Sequence, residues 1–303
     1  MKKKGKILWI VVLGFLIVCT AVWGIVEKRQ QQREAKNYWT MTSYPDASGN
    51  QGMFYTLHNE LTGTLIAIDS GWEQNEQQVR DAINQYGGVV DVWFITHYHN
   101  DHVDAFNRIW ENPQGIVIKQ VYDSPMNYEE YVEVAHEWDF VDSFTKYLDI
   151  TKGAENVSHL YRGDVLEIGD ITVTVLNSYD EKIGESGSTD IPNDASLVLK
   201  FEGKEDRVLF CSDCHSPGMA DLLMGEYTQE QLHAEYVQLG HHGNNSFPSY
   251  FYDYVNPQVA LFDSPEWLMV GENYTAKDLL AYFNEKGVKS FDYRTAPNQF
   301  VIR

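Results

Sequence analysis

A histidine-rich segment dominates this sequence. Residues 97–102 read His-Tyr-His-Asn-Asp-His and follow directly on an apolar run, residues 89–96. The segment offers three imidazoles and one carboxylate within six residues, and these are the side chains that zinc-like divalent ions bind. A solvated loop that is rich in histidine by chance is the alternative. We predict a metal site just past the end of a strand.

Three more apolar runs end in residues that can bind a metal. The runs are residues 64–69, closed by Asp69; residues 208–213, closed by Asp213; and residues 236–242, closed by His241 and His242. Short apolar runs of this length are typical of buried strands, and the ends of such strands present side chains along one edge of a sheet. The pattern therefore predicts one site assembled from several strand ends.

The motif and its strand-end partners resemble the metallo-β-lactamase-fold hydrolase superfamily, with the matching segments running from Asp69 to His242. The resemblance implies an α/β fold, a four-layer αβ/βα sandwich, filling about residues 43–303. Within the superfamily the chain looks most like the exported domain of DNA-uptake competence proteins and the teichoic-acid phosphorylcholine esterase. That closer likeness rests on residues 193–199, Asp213, residues 240–243 and the ending 300–303.

The resemblance also implies two divalent metal ions, with zinc as the first expectation and manganese as the alternative. His97 and His99 would hold the first metal, and Asp101 and His102 the second. Asp213 occupies the place of the carboxylate that bridges both metals. Paired metals lower the pKa of a bound water and neutralise charge on the attacked group.

The resemblance leaves two ligands open, namely the last histidine of the set and the third ligand of the first metal. His241 matches the last ligand, and His242 would contact substrate or support a ligand, although the sequence does not fix which of the two binds. Many superfamily members carry a histidine where this chain has Asn193 and Asp194, so one of these is a third-position ligand or water completes the first metal. Asp69 would orient a ligand histidine or the loop without binding metal itself.

The expected reaction is hydrolysis of a phosphoester by metal-activated hydroxide, with a cell-envelope polymer or a nucleic acid as the substrate. Besides the metal ligand Asp101, the expected catalytic residues are His242 and His215, which could protonate a leaving group or face solvent. Hydrolysis of a carbon ester, amide, lactone or thioester is the alternative. β-Lactam hydrolysis is disfavoured because Asp213 stands where those enzymes commonly carry cysteine. A non-catalytic, metal-containing binding domain is the third hypothesis.

The N-terminus predicts a membrane anchor. Residues 1–6 are a short basic N-terminus, and residues 7–26 are an uncharged, mostly apolar run of the length that crosses a bilayer core of about 30 Å. A cleaved signal peptide is the rival interpretation. Residues 27–42 read as a polar stalk. Basic residues flank both ends of the run, but the packed lysines favour the N-terminus inside, which would leave a single-pass protein with its catalytic domain extracellular.

The net charge of the predicted domain disfavours some classes of substrate. Residues 37–303 hold 15 Lys and Arg against 42 Asp and Glu, a net charge of −27. Such a domain repels polyanions as a whole and lacks the cations on which non-specific nucleic-acid binding depends. We therefore expect a small molecule or a cell-envelope polymer as substrate, with nucleic acid disfavoured but not excluded. No feature of the sequence indicates an oligomeric state.

Four segments carry secondary-structure predictions on which the fold depends. Residues 89–96 are predicted as one buried strand, and residues 156–176 as a three-stranded meander. Residues 126–150, rich in aromatic and acidic side chains, are predicted as one or two helices at the edge of the site, where ordinary packing is favoured over a cation–π site. Residues 178–192 are predicted as a loop over the site.

Overall fold

The computed structural model describes residues 22–31 and 34–303. The predicted basic N-terminus, residues 1–6, and most of the predicted transmembrane segment, residues 7–26, lie outside the described residues. Residues 22–31 are helical and exposed. Within the part of the chain that the structure describes, no helix has both the length and the apolar character needed to span a bilayer.

Two seven-stranded sheets form the centre of the molecule. The strands of the first sheet are β1 (Trp39–Ser43), β2 (Phe54–Asn59), β3 (Leu65–Asp69), β5 (Val92–Ile95), β7 (Val121–Asp123), β8 (Val157–His159) and β16 (Asn298–Ile302). The strands of the second sheet are β9 (Val165–Ile168), β10 (Ile171–Asn177), β11 (Val198–Glu202), β12 (Arg207–Phe210), β13 (Tyr236–Gln238), β14 (Val259–Leu261) and β15 (Lys289–Phe291). The short strands β4 (Val89–Val90) and β6 (Val117–Ile118) pair separately.

The two sheets share one plan. The first has the order β16-β1-β2-β3-β5-β7-β8, and the second the order β15-β14-β13-β12-β11-β10-β9. In the first sheet, the strands from β16 to β3 pair antiparallel and those from β3 to β8 pair parallel. In the second, the strands from β9 to β12 pair antiparallel and those from β12 to β15 pair parallel. Each sheet thus has an antiparallel part and a part whose parallel strands are joined through helical crossovers, and the C-terminal strand β16 completes the edge of the first sheet.

Helices cover the outer faces of both sheets. They are α1 (Glu76–Asn84), α2 (Asn100–Glu111), α3 (Tyr128–Val134), α4 (Val141–Thr151), α5 (Glu181–Glu185), α6 (Ile191–Asp194), α7 (Pro217–Glu226), α8 (Gln229–Leu232), α9 (Ser249–Val255), α10 (Glu266–Val270) and α11 (Ala276–Lys286). Short 3₁₀ turns lie at Glu73–Asn75 and Gly240–Gly243. Residues 126–150 therefore contain two helices, α3 and α4.

The side chains of strand β3 alternate between its two faces and show how the helix and sheet layers pack. All five of its residues are buried. Leu65 and Ala67 belong to the apolar cluster that includes the helices, whereas Ile66 and Ile68 belong to the cluster between the two sheets. Because successive strand side chains point to opposite faces, a strand buried on both faces lies between a helix layer and the other sheet. The predicted four-layer α/β sandwich is confirmed.

The predicted stalk is too long at its C-terminal end. Residues 39–42, assigned to the stalk, form strand β1, which pairs with β2 on one side and β16 on the other. Trp39 and Met41 are buried between the sheets, while Thr40 and Thr42 alternate with them. This two-residue period marks a strand, but the two threonines make the run look polar. The folded domain therefore begins at or before Trp39.

Three other segments differ from their predicted structure. Residues 89–96 form two strands in different sheets, and the Asp91 carboxylate between them accepts a hydrogen bond from the Leu65 amide. Strand β8 pairs with β7 in the first sheet and not with β9, so the predicted meander is wrong. Residues 178–192 contain helix α5 and the start of α6. For the strands the sequence indicates an element but not its partner, whereas for residues 178–192 it misses the two short helices.

Candidate metal centre

The histidine-rich segment lies between a strand end and a helix start. Strand β5 ends at Ile95, and helix α2 begins at Asn100, with His99 in extended conformation at its N-cap position. Asp101 lies in the first turn of the helix, where a carboxylate interacts favourably with the helix dipole. Ligand-type side chains at residues 97, 99, 101 and 102 are all buried. The turn thus brings the motif into the interior, at the edge of the sheet.

Two groups of buried side chains form at this edge. The first contains His97, His99 and Asp213, and the second contains Asp101, His102 and His242. Within each group, one nitrogen or oxygen atom of every residue lies within 4.8 Å of the others. The structure therefore brings together the motif from the first half of the chain with strand-end residues from the second half.

Asp213 lies between the two groups. Its Oδ1 is 3.3 Å from Nε2 of His102, and its Oδ2 is 3.2 Å from Nε2 of His242. The same Oδ2 is 3.9 Å from Nε2 of His97. Asp101 approaches the second group from the other side, with Oδ2 3.2 Å from Nε2 of His242. One carboxylate therefore contacts histidines of both groups.

The buried polar atoms fit a pair of cations. Nε2 of His97, His99 and His102 and Oδ1 of Asp213 are buried without a hydrogen-bond partner. Unpaired buried polar atoms are costly and rare, so several of them on the members of these two groups indicate a ligand. Bonds from zinc to nitrogen and oxygen are about 2.0–2.2 Å long, which places neighbouring ligand atoms about 3 Å apart. The separations of 3.2 and 3.3 Å around Asp213 match that spacing.

The two groups differ in their electrostatics. Burial, followed by the neighbouring imidazoles of His102 and His99, lowers the pKa of His97 well below its usual value. Burial alone would also lower the pKa of His102, but the carboxylates around it, beginning with Asp213 and Asp69, raise it well above its usual value. His97 is therefore neutral without a metal, whereas His102 would have to release a proton in order to bind one.

Asp69 contacts a histidine and not the central space between the groups. One of its oxygens lies 2.7 Å from Nδ1 of His102, and its carboxylate also accepts hydrogen bonds from the backbone and hydroxyl of Thr96. The Thr96 hydroxyl is 2.5 Å from that of Ser212, beside Asp213. This is the arrangement that fixes the orientation of a ligand imidazole. Asp69 thus contacts the His102 ring on the side away from the space between the two groups.

Of the two adjacent histidines between which the sequence leaves the choice open, the structure brings His242 into the second group. His242 lies in the second group, whereas Nδ1 of His241 contacts the carbonyl of Asn244 at 2.7 Å and its ring stacks on His215. Both histidines have positive φ, 50° and 58°, within the turn Gly240–Gly243. Gly240 fits against the carbonyl of Cys214, where a Cβ would collide. The left-handed backbone of this turn determines which of the two imidazoles faces the second group. The sequence pattern does not specify that backbone conformation, so it could not decide between His241 and His242.

Comparison with known proteins identifies the family. The sequence matches the family model of the metallo-beta-lactamase superfamily over residues 60–241, more than half of the chain. The chain belongs to the metallo-β-lactamase superfamily. At the level of sequence, no curated protein matches it. The closer likeness to the competence-protein and phosphorylcholine-esterase branch remains a prediction.

Two solved structures share the fold of this chain. The chain is similar to the metallo-beta-lactamase fold protein YhfI from Bacillus subtilis, with a TM-score of 0.51 and 11% identity over 88% of this chain and 99% of that one. It is also similar to CmlA, a diiron beta-hydroxylase from Streptomyces venezuelae, with a TM-score of 0.52 and 14% identity. That match covers 87% of this chain and 54% of CmlA. At such identities the likeness concerns the fold alone.

Asn193 and Asp194 occupy the place where many superfamily members carry a histidine, and their side chains are engaged differently. The Asp194 carboxylate accepts hydrogen bonds from the backbone amides of His215 and Ser216 and from the Ser188 and Ser216 hydroxyls. It thereby fixes the segment that follows Asp213. Asn193 donates its amide to Asp190, while its Oδ1 is buried without a partner. Of the two, only Asn193 retains an unengaged oxygen.

His215 lies beside the site rather than in either group. Its Nδ1 is 2.9 Å from the carbonyl of Asp213, and its Nε2 is 3.9 Å from the Asp190 carboxylate. Its side chain is 13% exposed. The imidazole is therefore fixed by the backbone of a group member while part of it reaches solvent, which is a geometry open to substrate.

Two buried carboxylates near the site were missed from the sequence. Asp139, in the segment between α3 and α4, lies against His99. Asp263 follows strand β14 and accepts a hydrogen bond from the Tyr55 hydroxyl at 2.6 Å. Asp263 closes an apolar run just as Asp69 and Asp213 do, so the signal was present. Asp139 has no such signal, because it lies in a stretch where acidic residues are frequent.

Proposed function

We propose that this chain is a membrane-anchored, extracytoplasmic metal-dependent hydrolase that cleaves phosphoesters. A metallo-β-lactamase fold with two buried His/Asp groups supports a metal-dependent hydrolase. Zinc, or manganese in its place, would be held by the first group through His97, His99 and Asp213. The second group would hold its ion through Asp101, His102 and His242.

The position of Asp213 carries the proposal. A carboxylate that contacts histidines of both groups keeps two cations at a fixed separation. Two such ions, when bound, lower the pKa of water and stabilise the attacking and leaving oxygens of a displacement at phosphorus. In the hydrolysis of a phosphodiester, the bond from phosphorus to the water oxygen forms while the bond to the leaving oxygen breaks, so both oxygens lie on opposite sides of one phosphorus in the transition state. A paired site therefore suits phosphoester chemistry better than a single cation would.

The surrounding residues position the substrate and move its proton. Asp69 fixes the His102 ring through Nδ1, and Asp194 fixes the segment that contains His215. His215, held by the Asp213 carbonyl, is the residue best placed to protonate a leaving oxygen. Its loss would then slow turnover while leaving the two groups intact.

The charge of the domain supports a cell-envelope polymer or a small zwitterionic ester over nucleic acid. Residues 37–303 carry a net charge of −27, which opposes the approach of a polyanion. A phosphodiester whose other groups are cationic or neutral would not meet this barrier. The same reasoning places single- and double-stranded DNA among the poor substrates.

A substrate panel tests the proposal. The full chain in detergent, loaded with zinc or manganese, is assayed on bis(p-nitrophenyl) phosphate, p-nitrophenyl phosphorylcholine, DNA, p-nitrophenyl acetate, a lactone and a chromogenic β-lactam. We expect turnover of the first two, abolished in Asp213→Ala and slowed at least about a hundredfold in His215→Asn with metal retained. Asp91→Asn, a carboxylate change away from the site, is the matched control. Preferential turnover of the carbon esters would replace phosphoester hydrolysis by the alternative chemistry.

The membrane anchor is tested separately. We expect the full chain to sediment with membranes and to resist extraction by salt, because residues 7–26 supply an uncharged span of sufficient length. A variant beginning at residue 37 should stay in the soluble fraction. Protease added to intact cells should remove the domain from the full chain. Protection from that protease would place the domain on the cytoplasmic side.

A further inference from the structure

Two buried hydroxyl groups lie against the first group. Thr96 directly precedes His97 at the end of strand β5, and Ser212 directly precedes Asp213 after strand β12. Both residues are 0% exposed, and their hydroxyl oxygens are 2.5 Å apart. The pair therefore joins the two sheets at the edge where the ligand-type side chains meet, with one hydroxyl supplied by each half of the chain.

The backbone of Ser212 indicates that its side chain has a specific partner. Its φ is 49°, in the left-handed region that residues other than glycine seldom adopt. Neighbouring groups hold it there, because its amide donates to Oε1 of Gln238 at 2.7 Å and its carbonyl accepts from the amide of His241 at 2.9 Å. Glycine would fit this backbone with less strain, but it would lack the hydroxyl that meets Thr96.

Each hydroxyl has one proton, which fixes the direction of the hydrogen bonds. The Asp69 carboxylate can only accept, so Thr96 donates its proton to Oδ2 of Asp69, 2.7 Å away. The bond between the two hydroxyls then takes the proton of Ser212. Nδ1 of His97 lies 3.3 Å from the Thr96 oxygen and 3.5 Å from the Ser212 oxygen. Since neither hydroxyl has a proton left, Nδ1 of His97 is the donor.

The same network presents the other nitrogen of His97 to the first group. A neutral imidazole carries a single proton, so a protonated Nδ1 leaves the lone pair of Nε2 free. Nε2 of His97 is buried without a hydrogen-bond partner, 3.9 Å from Oδ2 of Asp213. On the other side of the network, Asp69 contacts Nδ1 of His102, whose Nε2 is likewise buried without a partner. One network thus orients one imidazole of each group.

We propose that Thr96 and Ser212 are positioning residues that keep the proton of His97 on Nδ1 and so present Nε2 to the first metal. The inference rests on the metal dependence of the proposed function. Thr96 is the central residue, because its oxygen lies closer to Nδ1 than that of Ser212 and its proton is held by Asp69. Without the Thr96 hydroxyl, the Ser212 proton is free to turn to Nδ1. The His97 proton then moves to Nε2, the nitrogen that the metal needs.

Zinc binding by hydroxyl variants tests this role without an activity assay. The full chain in detergent is stripped, loaded with zinc and measured by elemental analysis and by competition with a chelator. In Thr96→Val, which removes the hydroxyl at nearly constant volume, the affinity of one equivalent should fall about 10–100-fold, the range for groups that orient metal ligands. Thr96→Ser should keep wild-type affinity. Adding Ser212→Ala to Thr96→Val should recover part of the loss, because it removes the misdirected donor.

The matched control is Thr56→Val, the same change at another buried strand position, where the hydroxyl lies 3.2 Å from that of Tyr44. It should bind two equivalents as the wild type does. If Thr96→Val binds both equivalents within about twofold of wild type, well below the loss expected for a group that orients a ligand, the assignment is wrong. The assignment is also wrong if Thr96→Ser loses as much affinity as Thr96→Val.

A measurement on metal-free protein separates this inference from the proposed function. In chelator-treated protein, the nitrogen-15 shifts of His97, assigned by their absence in His97→Gln, report which ring nitrogen carries the proton. We expect Nδ1 in the wild type and in Thr96→Ser, and Nε2 in Thr96→Val. A wild type with a proton on Nε2 would overturn the inference, whether or not Thr96→Val folds. A wild type that binds no zinc or manganese would contradict the proposed function, while the position of the His97 proton would still decide the inference.

Discussion

At the scale of single residues, chemically identical side chains acquire different roles from their neighbours. His97 and His102 are both buried, yet only His102 is surrounded by carboxylates that raise its pKa. His241 and His242 are adjacent in the chain, yet burial lowers the pKa of His241 to about 4, while carboxylates raise that of His242 to about 10 in spite of burial. The contact with Asp213 and Asp101 accounts for the difference, since these carboxylates lie 3.2 Å from His242.

Single substitutions separate the two adjacent histidines. We expect His242→Ala to lose at least one metal equivalent, because it removes a member of the second group. His241→Ala should retain both, since Nδ1 of His241 contacts the Asn244 carbonyl. Elemental analysis of the two purified variants, compared at equal protein concentration, measures this. Retention in His242→Ala together with loss in His241→Ala would restore the assignment made from the sequence.

Asp263 predicts a pH dependence of stability. Burial raises its pKa to about 7, against a smaller opposing effect of the Tyr55 hydrogen bond. Between about pH 4 and pH 7 the folded protein therefore holds a proton that the unfolded chain has released, so this residue makes the fold less stable as pH rises. In chelator-treated protein, the free energy of unfolding of Asp263→Asn minus that of wild type should increase across this range and level off above it. Urea titrations that give parallel pH curves would show that the carboxyl does not titrate there.

The sequence predicts which kinds of side chain form the site better than it predicts which positions supply them. Asp69 and Asp213 are found because each closes an apolar run, and the histidine-rich segment is found because of its density. The choice between His241 and His242 depends on two left-handed residues in a tight turn, which the sequence does not specify. Asp139 is brought to His99 by long-range packing of α3 and α4, which leaves no local pattern.

At the scale of elements, strand ends position most of the site, while Asp101 and His102 lie in the first turn of helix α2. Strands β3, β5, β12 and β13 end beside Asp69, His97, Asp213 and the Gly240–Gly243 turn, respectively. Short apolar runs in the sequence predict that these strands exist, but they do not predict which strands pair with each other. Strand β8 illustrates the limit, because its three residues carry no alternation that favours one sheet over the other.

Strand β1 yields a stability prediction. Trp39 is 1% exposed between the sheets, and its indole donates to Asp170 at 2.8 Å. We expect Trp39→Ala to lower the free energy of unfolding by about 3–5 kcal/mol, as for other large-to-small changes in a core. Trp138→Ala, at a position 60% exposed, should change it by less than about 1 kcal/mol. Urea unfolding of both variants measures the difference. Equally small effects in the two variants would contradict a core position for Trp39 and would support its sequence-based assignment to the stalk.

At the scale of the whole molecule, the site joins the two halves of the chain. The first half supplies residues 97–102, and the second supplies Asp213 and His242 from a sheet of the same plan. Between the sheets lies an apolar cluster to which both contribute, so each half completes the other's core as well as its site. Separate halves would therefore bind metal poorly even if they folded.

Metal content of residues 37–303 tests the central claim most directly, beside His99→Ala and Asp213→Ala. We expect about two equivalents of zinc or manganese in the wild type, fewer in His99→Ala, and the largest loss in Asp213→Ala, because Asp213 contacts histidines of both groups. Circular dichroism checks that the variants remain folded. A wild type with one equivalent that Asp213→Ala retains would contradict the paired site, and a wild type without metal would contradict a metal-dependent hydrolase.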